Sequence, residues 1–149
     1  MANTPRHSVS VAAVVTNDEG EVLVIQRRDN AAWQLPGGVL ELDEVIEDGV
    51  RREVAEETGV TVEPTRLTGI YKNMKLGVVA LVFQARPIAG SPGPTEESVA
   101  AEWWPADRVV AELDGTFKTR VRDALAFDSS PVIRHHDGVQ FLDGDASQR

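Results

Sequence analysis

A mixed α/β fold, with a mixed β-sheet sandwiched by helices, is predicted by three features of this sequence. Segments with β-branched content and period-two alternation stand both before and after one central helical segment. Further helical segments follow towards the end of the chain. Between them, Gly37 to Val60 reads as a loop, a helix and a second loop, with glycines at both ends. At 149 residues the chain has the length of one ordinary domain, and its 42% hydrophobic content supports a real core. We expect one unit over residues 1–149, with 128–149 as a flexible C-terminal tail.

Taken in order, residues 1–7 read as a frayed start and Ser8 to Thr16 as a strand, from its Val and Ala content and partial alternation. Asn17-Asp18-Glu19-Gly20 is a hairpin signal. Glu21 to Arg27 is the returning strand, and its unbroken apolar run Val22 to Ile25 predicts a central position with both faces covered. After the loop Asp29 to Ala32, Trp33 to Pro36 leads into Gly37-Gly38, where the backbone is free to approach a neighbour closely. A helix is predicted from about Glu44 to Thr58. Asp43 is its expected N-cap, Glu44, Glu47 and Asp48 complement its positive end, and Gly59 stops it. Thr61 to Asn73 reads as one or two strand segments punctuated by Pro64, and Leu76 to Arg86 is the strongest strand pattern in the chain. Pro87 to Pro94 reads as a loop, Val99 to Trp104 as a strand, and Ala106 to Leu113 and Thr116 to Phe127 as helices. Val139 to Leu142 is a last apolar patch.

Composition narrows the function. A formal charge of −9 argues against nucleic-acid polymers and anionic membranes as partners, since both need a basic footprint, and it favours cations. The absence of cysteine removes disulfides and thiolate metal sites. The apolar run Val9 to Val15 is too short to span a bilayer, so a cytoplasmic location is the default expectation.

The central helix carries the chemistry. At about 100° per residue, Ile46, Val50 and Val54 form an apolar stripe; Glu57 falls within it, Glu53 at its edge and Glu56 slightly further round. A solvated acidic face paired with Arg51 and Arg52 is the ordinary explanation of such a helix, but carboxylates turned toward the packed side are costly unless something compensates them. Three carboxylates at this spacing raise each other's pKa unless a cation lies between them, and Mg²⁺, with Mn²⁺ as a substitute, fits an all-oxygen set that also accepts phosphate.

Gly38, five residues, Glu44, seven residues, then Arg52-Glu53-Val54-Ala55-Glu56-Glu57-Thr58-Gly59-Val60 resembles the complete signature of the Nudix hydrolases. The resemblance implies an α/β/α sandwich with a loop-helix-loop catalytic motif at residues 37–60, and hydrolysis of a nucleoside diphosphate linked to another group. It also implies Glu53, Glu56 and Glu57 as metal ligands with a backbone contribution from Gly38, Glu44 in support, and Arg52 holding a carboxylate in place. A glycine stands in many members where this chain has Asp43. Glu97 is a candidate base, because Glu97 to Asp107 resembles a family segment in which an acid precedes a Trp by six residues. Substrate markers of ADP-ribose, dinucleotide and coenzyme A hydrolases are missing: Lys75 and Gly77 stand where the first two would carry proline and tyrosine. A MutT-like pyrophosphohydrolase of a nucleoside triphosphate, including an oxidised one, is therefore the expectation. An ADP-ribose or nucleotide-sugar pyrophosphatase and a non-catalytic nucleotide-binding regulator are the alternatives. Family members often form homodimers.

Weaker expectations surround this centre. Arg27 and Arg28 precede the site and are candidates to meet phosphate; Gly37 and Gly38 offer backbone groups to it. Trp33 is a candidate to stack on a base, with packing beside the Leu-Pro turn as the alternative. Tyr71, Lys72 and Lys75 lie where relatives contact substrate. His135 and His136, adjacent on an extended segment, point apart and so make a poor metal pair.

Overall fold

The structure, a computed structural model, describes residues 3–142. Eight strands and three helices occur among them: β1 (Ser8–Val15), β2 (Glu21–Arg27), β3 (Trp33–Gln34), β4 (Gly37–Val39), α1 (Ile46–Thr58), β5 (Thr61–Asn73), β6 (Val78–Ala89), β7 (Ser98–Pro105), α2 (Ala106–Glu112), α3 (Gly115–Leu125) and β8 (Val132–His136). A five-stranded mixed sheet has the order β4-β1-β6-β5-β8, and a three-stranded antiparallel sheet has the order β3-β2-β7. In the larger sheet β1 runs parallel to β6 and β5 parallel to β8, while β1–β4 and β5–β6 are antiparallel. This is the expected α/β/α sandwich.

Period-two alternation divides the core. From β1, Val11, Ala13 and Val15 enter one cluster with Leu23, Val50, Val54 and Val62, under α1; Ala12 and Val14 enter the other with Val22, Val24, Trp104, Val121 and Ala124, under α2 and α3. Val22 to Ile25 are buried without a break, as an unbroken apolar run demands. No helix among the described residues is long and apolar enough to cross a membrane.

Four local expectations are corrected. The Asn17–Gly20 turn forms, with Asn17 Oδ1 accepting the Glu19 and Glu21 N–H groups, but β1 and β2 join different sheets, and an isolated bridge, Thr16–Val22, stands where a hairpin ladder was expected. The helix begins at Ile46 with Val45 as its N-cap and no side-chain capping bond, so Asp43 is not the cap. Glu44 lies outside α1, where its carboxylate accepts the Glu41 N–H and a bidentate contact from Arg52, a stronger set of partners than a capping position offers. Ile46, placed in the apolar stripe, stays 38% exposed at the helix start. Finally, the segment after 127, expected as a tail, contributes β8, whose residues pair with Gly69 to Asn73 along the sheet edge. Gly59 closes α1 as expected, in the left-handed region at φ 81°, its N–H donating to the Ala55 carbonyl at 2.9 Å.

Candidate active site

Strand β4 lies across the N-terminal half of β1 and brings the two glycines against the acidic face of α1. Neither position has room for a side chain. A Cβ on Gly37 would stand 2.4 Å from the Val11 carbonyl oxygen, and one on Gly38 would stand 2.5 Å from the Glu53 carboxylate. The Gly37 N–H donates to Glu57 Oε1 at 2.7 Å, fixing that carboxylate in the cleft.

Arg52 organises the other side. Its Nε and Nη2 grip Glu44 at 2.9 and 2.6 Å, and Nη2 also donates to the Val39 carbonyl at 3.1 Å. Nη1 reaches Glu53 Oε2 and Glu56 Oε1, both at 3.0 Å. The guanidinium holds Glu44 well below the ordinary carboxylate range, at about 2. Glu56, 46% exposed, thus faces Arg52, on the outer side of the site.

The closest acidic grouping among the described residues is Glu53, Glu57 and Glu97, with one oxygen from each lying within 4.8 Å of the others. Glu97 comes from the loop before β7, about sixty residues from the Gly37 loop in sequence. Burial, opposed by Arg52, raises the pKa of Glu53, which is only 8% exposed. Burial also pushes Glu57 up to about 7, with the charges of Glu53 and Glu97 adding to it and the Gly37 N–H opposing it. Carboxylates this close, sharing only part of one arginine's charge, suit a hard divalent cation with oxygen ligands.

Arg28 lines the acidic cavity and also braces a loop. Its guanidinium donates to the carbonyls of Thr95 (2.6 Å), Glu96 (3.2 Å) and Ser98 (3.1 Å), clasping the backbone on both sides of Glu97. Thr95 Oγ1 accepts the Glu97 and Ser98 N–H groups and completes the loop. Arg28→Met is expected to lower kcat on the order of 10-fold while leaving the melting temperature nearly unchanged, since it loosens Glu97 without opening the core. An unchanged kcat would separate Arg28 from the placement of Glu97.

Two cavities meet at this point. The acidic one, about 380 Å³, is lined by Arg27, Arg28, Glu53, Glu57 and Glu97 among others. The second, about 390 Å³, is more apolar and runs between β1, β5, β6 and α3, past Leu35, Leu76, Val78 and Phe117. Arg27, Gln34, Gly37 and Gly38 line both. Arg27 stands at the junction with its Nε donating to Asp29 at 2.8 Å. Trp33 lines neither cavity; its ring packs on Trp104 with centroids 4.7 Å apart. Tyr71 lines the second cavity but its hydroxyl donates to Asp123 at 2.6 Å, and Lys72 and Lys75 line neither. His136 is buried beside the second cavity, far in character from a metal site, with His135 one step along the strand.

Sequence reading overlooked Arg120, which also lines the second cavity. The signal was available. Arg120 shares a face of α3 with Phe117 and Ala124, an arginine in an apolar stripe, the same anomaly that singles out Glu57 on α1.

The sandwich thus sets a carboxylate cluster beside a glycine cradle and an apolar recess. Residues 6–125 match the NUDIX domain, and the chain belongs to the Nudix family. A MutT-like protein of Streptomyces ambofaciens is 50% identical over 138 residues, which cover 93% of this chain and 89% of that one. The 8-oxo-dGDP phosphatase NUDT18 of Mus musculus is 37% identical over 102 residues, 64% of this chain and 31% of that protein, so the match spans about a third of its length. The solved structure of a NUDIX hydrolase from Nitrosomonas europaea superposes with a TM-score of 0.73 at 27% identity, covering 93% of this chain and 99% of that one. The protein is a hydrolase acting on pyrophosphate bonds.

Proposed function

We propose that this enzyme uses Mg²⁺, replaceable by Mn²⁺, to hydrolyse a nucleoside diphosphate linked to another group, with a nucleoside triphosphate, intact or oxidised, as its leading substrate. The observation that carries this reading is the junction of the two cavities: a cluster of carboxylates opens directly onto an apolar recess large enough for a nucleoside, with Gly37 and Gly38 between them. The phosphatase relative acts, by its name, on an oxidised nucleoside diphosphate, which supports an oxidised nucleotide rather than the third phosphate.

Glu53 and Glu57, with the backbone of Gly38, would hold the ion; Glu56, a ligand by the family resemblance, would join them by turning from Arg52. When bound, it neutralises the diphosphate and makes its phosphorus more electrophilic. The protein's own groups do the rest. Arg52, whose Nη1 donates to both, bridges and orients Glu53 and Glu56, the Gly37 N–H pins Glu57, and Arg27 faces the phosphates at the cavity junction. Glu97, held at the rim by Arg28, takes the proton of the attacking water.

Turnover by the purified protein with Mg²⁺ should be measured against nucleoside triphosphates, ADP-ribose, nucleotide sugars and dinucleotides. A triphosphate is expected to lead; preference for ADP-ribose or a nucleotide sugar would replace the substrate assignment. Glu97→Gln is expected to lower kcat on the order of 10²–10⁴-fold with little change in KM, as loss of a general base does. Wild-type kcat in that variant would remove Glu97 from the reaction.

A further inference from the structure

Two residues that line the apolar cavity, Arg120 and His136, carry buried hydrogen-bond donors without a partner among the described residues. His136 is 4% exposed; its Nδ1 accepts the Gly138 N–H at 2.9 Å, so the ring proton sits on Nε2, and Nε2 is buried without a partner. Burial and the neighbouring Arg120 charge lower the His136 pKa, which keeps that ring neutral. Arg120 places its guanidinium over the rings of Tyr71 and Phe117, at 5.2 and 5.1 Å, and its Nε is likewise buried and unpartnered. Asn73 spends its Oδ1 on the Lys75 and Leu76 N–H groups and has only its Nδ2 hydrogens left to offer. Asp123, which is not among the lining residues, accepts from Tyr71 and Arg134. Unmet buried donors are costly, and a ligand that meets them gains accordingly.

We propose that Arg120 and His136 are specificity-determining residues that select a base bearing a ring carbonyl over one bearing an amine. Ala80, Val78, Leu35 and Phe117 give the recess apolar walls suited to a flat heterocycle rather than to a second phosphate. A 6-oxopurine presents two adjacent acceptors, O6 and N7, the pair that a guanidinium engages bidentately; a 6-aminopurine sets an N–H against these donors. The inference rests on the reading of the neighbouring carboxylate site as a nucleotide-hydrolysing centre.

Inosine and adenosine triphosphates isolate the contrast, since they differ at carbon 6 and the adjoining ring nitrogen. Wild-type kcat/KM with Mg²⁺ is expected to favour the inosine compound at least tenfold. Arg120→Met is expected to cut that preference to within about twofold by slowing the inosine compound alone. Equal rates on both, a preference for adenosine, or equal slowing of both by Arg120→Met overturns the proposal. The wild-type comparison stands even where the variant fails to fold. Binding of inosine and adenosine monophosphates, followed by titration calorimetry, separates the two readings. Tighter inosine binding without hydrolysis of any nucleotide supports the pocket and refutes the catalytic assignment; equal binding refutes the pocket.

Discussion

Glu57→Gln is expected to lower kcat/KM by at least 10²-fold and, at the same time, to raise the melting temperature of the metal-free protein above pH 7. The carboxylate is held by the Gly37 N–H among Glu53 and Glu97, with its pKa pushed up to about 7. A carboxyl raised from its ordinary value of 4.5 binds a proton more tightly in the folded protein than in the unfolded chain. Its stabilising contribution is therefore full below about pH 4.5 and is lost as pH rises toward 7. Glutamine keeps the acceptor for Gly37, removes the charge, and so removes that loss. Melting curves from pH 5 to 8, with and without Mg²⁺, check both halves. Wild type should fall in stability across the window without metal and recover with it, whereas the variant should stay flat and respond weakly. A wild-type curve flat in pH and unmoved by Mg²⁺ would detach Glu57 from the cation.

Gly38→Ala should divide activity from stability in a second way. Its Cβ meets the Glu53 carboxylate at 2.5 Å, a side-chain end that is able to swing aside, so the expected result is a loss of 10²-fold or more in kcat/KM with a modest change in stability. Gly37→Ala meets the Val11 carbonyl and the Ala12 backbone, which have nowhere to go without parting β4 from β1. Its expected cost is about 1–3 kcal/mol of stability, by denaturant titration. If Gly38→Ala retained full activity, Glu53 would not need its present position.

The sequence made the local elements and the acidic helix legible because each depends on short-range periodicity. The stripe of Val50 and Val54 and the stop at Gly59 are written within one helix length. What it hid was long-range. The turn at Asn17–Gly20 carries a hairpin signature, yet only the packing of two sheets decides that its strands part company. The resemblance points to Glu97, but it meets Glu53 and Glu57 on a loop whose three carbonyls Arg28 grips from almost seventy residues away. Trp33 was open to two uses, and the partner that occupies its ring, Trp104, stands seventy-one positions downstream.

Strand β8 lies past residue 125, beyond the segment that matches the family domain, and docks on the outer edge of the larger sheet. The carboxylate cluster and part of the apolar recess are therefore carried on different stretches of polypeptide. An edge strand can be exchanged without unpicking any strand between it and α1, so grafting a foreign segment over Val132–His136 offers a route to retune what enters the recess while the carboxylate cluster stays untouched.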